Sequence, residues 1–384
     1  MIVNYDNQQF KRSRNRPSGR FNRTLMDQLS TTPIAIPLDA HTSAKSLLIK
    51  RWFLVSLLLS TWLPITFFTL LAPSGDATST SIAGIKKVFL FLGTAHVPAT
   101  FFFYVDKGFR SIIREHRLRY IYVPILLTLI TGTVFAFAGL TLTAFVLLAY
   151  WSWQAFHYGR QNVGIYAFAS IAETTKPPRM EERLAIDAGT LLAIVGTFRI
   201  LGMAVAPVYL HRAFNYLYQF GFVTFLALLV FSVAVYVKCF KQTTFFKTVF
   251  FFTAVFFFLP VFLSTDVNIG FLSYAMAHGL QYIIFMTVIS ATATDDQRQA
   301  VSYRSLGKLI ALLVVLGFAF WRVADLKELE IVKSSGIYSR AADFLFGAVL
   351  GATMSHFVID ASAWRLRMKK QRDYMKKRFY FVFD

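Results

Sequence analysis

Seven histidines are spread along this 384-residue chain, and four of them stand where histidine is costly. His96, His157, His278 and His356 each fall inside a long apolar run. An ionisable side chain in such a run normally faces the bundle interior and has a partner there. Imidazole nitrogen suits iron, copper, nickel and zinc. Polar residues accompany the four. Asp360 follows His356 by four residues, so the two share a helix face. From there it can hold the imidazole tautomer or serve as a further ligand. Gln161 follows His157 by four, with Arg160 beside it, and Gln281 follows His278 by three. The expectation is a metal centre of His96, His157, His278 and His356, with Asp360, Arg160, Gln161 and Gln281 as candidate catalytic groups. Non-haem iron working with oxygen on an apolar substrate fits such a set; haem, copper or zinc are the alternatives. Zinc hydrolysis usually shows H-E-x-x-H, which is absent. So are the glycine-rich phosphate loops. Cys239 is the single cysteine, which excludes an intramolecular disulfide and a Cys-rich metal site.

The elements that must position these residues are hydrophobic helices. Some 56% of the chain is hydrophobic and only 16% is charged, against about 25% in an ordinary soluble domain. Apolar segments run over 52–71, 88–105, 120–138, 140–158, 188–207, 217–237, 246–264, 268–291, 306–321 and 341–363. Each can cross a hydrocarbon core of about 30 Å as a helix, some with help from their flanks. The fold class expected is all-α: a polytopic membrane bundle of about ten transmembrane helices over 48–364. Residues 1–47 read as a disordered basic tail and 365–384 as a basic C-terminal tail, both cytoplasmic. Span four is free to slide toward Ala172.

The net charge of +20 acts as an orientation signal. With these boundaries, 32 Lys/Arg fall on the side of the termini and seven on the other, and Arg199 lies inside a span. That bias puts both termini in the cytoplasm. The basic tails suit anionic lipid headgroups, and nucleic acid is not an expected partner. The expected location is a bacterial inner membrane. All four buried histidines sit on even-numbered spans, which run in one direction. Counting from the inner ends puts them near the midplane or below it, over a depth of about 15 Å at 1.5 Å per residue. Arg199 is expected to form a structural pair, and the Phe250–Phe252 and Phe256–Phe258 runs to pack or face lipid. Tyr150, Trp151, Trp153 and Phe156 lead to His157; they read as packing, or as the wall of a substrate path.

The stretch Ala155-Phe156-His157-Tyr158-Gly159-Arg160-Gln161 resembles the His-aromatic-Gly segment of the Brp/Blh family. Gly93-Thr94-Ala95-His96 looks like that family's earlier Gly-x-Pro-His segment, with Ala95 where the family has proline. The resemblance covers these two segments and the multi-span pattern. It implies a membrane β-carotene 15,15'-dioxygenase type of protein, with iron held by histidines and a carotenoid-like or other lipid substrate. This chain departs from the pattern late on, where His278 stands alone and His356 is followed by Asp360. Two other readings of the same histidines are a haem-bearing electron carrier with two bis-His pairs, and a proton-coupled transporter with a His-lined path.

Overall fold

The protein is described by a computed structural model over residues 40–71, 80–202, 207–239, 243–264, 266, 268–292, 301–325 and 336–383. Among these residues every regular element is helical. Of the expected tail over 1–47, residues 1–39 lie outside them, and residues 40–47 belong to the first helix.

The main elements follow the apolar runs. They are α1 (Ala40–Thr66), α2 (Thr80–Ala99), α3 (Val123–Phe137), α4 (Leu140–Thr174), α5 (Met180–Thr197), α6 (Val208–Cys239) and α7 (Phe245–Phe256). Then come α8 (Ser273–Ala291), α9 (Tyr303–Ala311), α10 (Gly336–Ala363) and α11 (Lys369–Arg378). Among the described residues, eight helical stretches are long and apolar enough to cross a membrane: 44–70, 84–105, 118–137, 180–202, 208–238, 269–291, 303–323 and 339–363. The two other expected spans take different forms. Residues 140–158 are the first half of α4, which runs on for 35 residues to Thr174. Residues 246–264 are two helices, α7 and Leu259–Leu263, with the break just before Pro260. Proline supplies no N–H to the turn before it, which explains the break.

The length of α4 corrects the expected depth of His157. Read as a span ending at 158, it would put His157 near the inner surface. In the structure His157 sits mid-helix, and a left-handed Thr175 (φ 58°) ends the helix.

The C-terminal stretch folds back onto the bundle, which corrects its reading as a tail. In α11 and the short helix Tyr380–Phe383, residues Tyr374, Met375, Arg378, Phe379, Phe381 and Val382 are buried. Phe379 packs against Phe168 of α4, Phe285 of α8 and Trp364 just after α10, at ring-centre distances of 5.1, 5.5 and 6.2 Å. Arg378 Nη2 donates to both carboxylate oxygens of Asp106, at 3.2 and 2.9 Å, and Nη1 donates to Thr292 O at 2.5 Å. Tyr374 Oη donates to Asp106 Oδ2 at 2.6 Å. Burial, reinforced by the Asp106 carboxylate, pushes the Tyr374 phenol well above its usual range. On the surface Lys370 pairs with Glu115 at 2.8 Å, and the Lys370 hydrogen bond holds the Glu115 carboxyl below its ordinary value. The segment thereby ties together the ends of α2, α4, α8 and α10, the four helices that carry the buried histidines.

Most of the phenylalanine runs serve packing. Phe250, Phe251, Phe257 and Phe258 are buried in the main core. Arg199 lies over the Tyr218 ring at 4.0 Å, a structural cation–π contact.

Candidate metal centre

Close approach of α2 and α8 begins at two glycines. A Cβ on Gly279 would meet Gly93 Cα and His96 Nδ1, each at 3.1 Å. Glycine leaves that space free, and His96 and His278 come together with ring centres 4.9 Å apart. His157 of α4 and His356 of α10 complete a closed ring. His278–His157, His157–His356 and His356–His96 are 4.9, 4.9 and 5.0 Å apart, and His278–His356 is 6.2 Å across. All four side chains are buried. The expected 15 Å spread of depth is therefore absent, because α4 extends further than its hydropathy suggested.

The helices run in one direction here. Passing from Gly93 to Thr100 on α2 and beyond goes with passing from Gly279 to Tyr282 on α8. Residues four positions after each histidine consequently gather one turn below the ring. These are Thr100, Gln161, Tyr282 and Asp360. Tyr282 Oη donates to Asp360 Oδ1 at 2.8 Å and lies 2.8 Å from Thr100 Oγ1. Thr100 Oγ1 lies 2.5 Å from His356 Nδ1. Pro98 explains why this hydroxyl is available. The helix tightens after it, with Thr100 N donating to Val97 O and Phe101 N to Pro98 O. Threonine in an apolar helix often bonds back to the carbonyl four residues before, as Thr94 does to Leu90 O at 2.9 Å. Thr100 instead reaches across to two other helices.

Asp360 Oδ2 lies 3.6 Å from His356 Nδ1 and 3.9 Å from His157 Nε2. The Gln pair holds the backbone of α8. Gln161 Nε2 donates to His278 O at 3.2 Å and to Gln281 Oε1 at 3.1 Å, and Gln281 Nε2 donates to Thr61 Oγ1 at 2.6 Å. Both glutamines act on position and do not enter the ring. Arg160 is not brought to the histidines, contrary to expectation. It points out of the bundle and pairs with Asp187 of α5 at 2.6 Å. It stands one position before Gln161, about 100° round the helix from it.

Aromatic rings wall the ring of imidazoles. Phe357 stacks on His157 at 4.4 Å and Tyr158 lies over His278 at 4.1 Å. Tyr150 and Trp153 pack on Phe357, so packing is the role of those two residues. Phe156 is 43% exposed. Thr100, Tyr282, Tyr158 and Phe357 were absent from the sequence expectation, although Thr100 and Tyr282 obey the same four-residue spacing that singled out Asp360.

Two triads have ligand atoms all within 4.8 Å of one another: His96, His278 and His356, and His157, His356 and Asp360. Hydrogen bonding shows what this arrangement lacks. His96 Nδ1 is engaged by Gly93 O, which leaves Nε2 as the free nitrogen. The Nε2 atoms of His157, His278 and His356, and also Nδ1 of His278, have no hydrogen-bond partner. A buried polar atom left unpaired costs about 1–3 kcal/mol. Each unpaired lone pair here could be satisfied by a donor or by a cation. Four imidazoles on one metal at about 2.0–2.1 Å place their ring centres about 5 Å apart. The residues present therefore fit a metal ion, and aromatic rings pack against His157 and His278.

Comparisons with protein-family models, with curated proteins and with solved structures give no match to this chain.

Proposed function

We propose that this chain is a membrane-embedded metalloprotein that uses histidine-held iron to oxidise a lipid-soluble substrate. His96, His157, His278 and His356 are the ligands, and Asp360 supports them from the layer below. The observation that carries this reading is the convergence of four buried imidazoles whose Nε2 atoms have no hydrogen-bond partner. Bound iron would supply the electrons for oxygen chemistry; the protein supplies a dry, aromatic-walled setting and fixed ligand orientation. The likeness to Brp/Blh segments points to the same metal and to an isoprenoid or comparable apolar substrate that enters from the lipid. Copper or zinc would suit the same nitrogens.

The rest of the proposal concerns the membrane. Together with the eight long apolar helices, α4 and the broken pair at 245–263 make ten crossings. Both termini lie in the cytoplasm by the distribution of Lys and Arg, and the membrane is a bacterial inner membrane with anionic lipids at its basic face. A haem carrier with two bis-His pairs fits less well. Two haems would divide the histidines into separate pairs, whereas the four form one closed ring.

The test is elemental analysis with an optical spectrum of detergent-purified protein, with His356→Ala as control. Near-stoichiometric iron without a Soret band, lost in the variant, is the expected result. Protein that holds no iron, copper or zinc, even after anaerobic reconstitution, overturns the proposal.

A further inference from the structure

Asp360 is the obvious orienter of His356, yet it does not reach it directly. Its Oδ2 stands 3.6 Å from His356 Nδ1, beyond ordinary hydrogen-bond range. The connection that does exist runs the long way round, through residues of two other helices. Asp360 Oδ1 meets Tyr282 Oη at 2.8 Å, Tyr282 Oη meets Thr100 Oγ1 at 2.8 Å, and Thr100 Oγ1 meets His356 Nδ1 at 2.5 Å. All four residues are buried, so solvent does not interrupt the series.

The Tyr282 hydroxyl donates to Asp360 Oδ1, and from that bond every proton in the series is assigned. The Tyr282 oxygen then accepts, so the Thr100 hydroxyl donates to Tyr282. Thr100 has one proton and has spent it, so its oxygen accepts from His356, whose Nδ1 must carry hydrogen. His356 Nε2 is thereby a bare lone pair, and it is the atom that lacks a partner. His96 reaches the same tautomer by a shorter route through Gly93 O. His278 has neither ring nitrogen engaged.

We infer that Thr100 and Tyr282 are positioning residues that fix His356 as a ligand and link it to the Asp360 carboxyl group. This rests on the metal reading above. The relay distinguishes His356 from the other three ligands, because a chain of hydrogen bonds polarises each member in turn. Its three outer members come from α2 and its continuation, α8 and α10, so it also locks those helices to one another.

The experiment uses full-length protein and the variants Thr100→Val, Thr100→Ser and Tyr282→Phe. Each is stripped with a chelator and titrated anaerobically with ferrous iron against a chromophoric competitor. The reduction potential of the bound iron is then measured. Thr100→Val keeps the shape and removes both hydrogen bonds; it is expected to lower iron affinity about 10–100-fold, as loss of an outer partner of a ligating His does. Thr100→Ser restores affinity. Tyr282→Phe disconnects the carboxyl group and is expected to raise the potential, with a smaller loss of affinity. A merely structural role would leave the potential in place. Elution volume and Tm report folding, and if Thr100→Val fails to fold, Tyr282→Phe decides the question alone. Folded variants with wild-type affinity and potential overturn the relay and leave the metal site standing. Failure of the wild type itself to take up iron overturns the metal reading, and the relay falls with it.

Discussion

Among the described residues, two of the buried polar clusters differ in kind, one at the four histidines and one where Arg378 meets Asp106. Both bring groups from distant parts of the chain into an apolar interior. At Arg378 the charges cancel and the donors match the acceptors. Asp106 accepts from Arg378, Tyr374 and the Gly108 N–H, and Arg378 also reaches Thr292 O. Only Arg378 Nε stands without a partner. At the histidines the imbalance is systematic, with Nε2 of every ring unpartnered. A cluster that closes on itself is explained by folding. A cluster with ring nitrogens of four histidines left over is one that the proposed metal would complete.

Arg378→Met gives the sharpest contrast. It leaves Asp106 buried without its counter-ion, and a loss of roughly 3–5 kcal/mol is expected from breaking one side of a buried pair. Chemical unfolding in detergent measures it. A loss below about 1 kcal/mol would show that the pair is better solvated than its burial implies. His278→Leu should behave in the opposite way. It removes an imidazole with neither nitrogen engaged and replaces it by an apolar group, so metal-free stability should hold within about 1 kcal/mol or rise. Metal content should nonetheless fall to background. A large drop in metal-free stability would place the histidines in the same structural class as Arg378.

The pH response of the Arg378 cluster is a finer test. The Tyr374 phenol has its folded value raised above the unfolded one. Its contribution is therefore fully present below the unfolded value of about 10 and is lost as pH rises through the folded value. Tm followed from pH 6 to 9 should show no step that Tyr374→Phe abolishes; a step inside that window counts against the assignment. The smallest effect belongs to Arg160→Ala. Its pair with Asp187 is partly exposed, so stability should change by under about 1 kcal/mol and metal content not at all.

The distribution of apolar runs made the helical class readable, and spacing made the histidines stand out. Asp360 was found because a four-residue step lies on one helix face. Thr100 and Tyr282 carry the same signal at His96 and His278, yet threonine and tyrosine are so ordinary in apolar helices that the step alone did not separate them. The depth of His157 was misread for a physical reason. Gln154, His157, Arg160, Gln161 and Asn162 lower the local hydropathy, so the site itself hides the helix that carries it. The C-terminal segment was hidden in a similar way. Its dense Lys and Arg mask Tyr374, Met375, Phe379, Phe381 and Val382, whose buried faces recur at helical spacing. Arg160 was drawn in by adjacency in the sequence, which on a helix turns the side chain about 100° away.

The order in which the ring is made bears on biogenesis. His96 and His157 leave the ribosome well before His278, and His356 follows later still. Half of the centre must wait in the nascent bundle with its partners unmade. Neutral imidazole tolerates that wait far better than a carboxylate would, because it can shed its proton and remain uncharged in an apolar setting. The lone carboxylate, Asp360, arrives on the last of the four helices. By then Tyr282 and Thr100 are already in place to receive it.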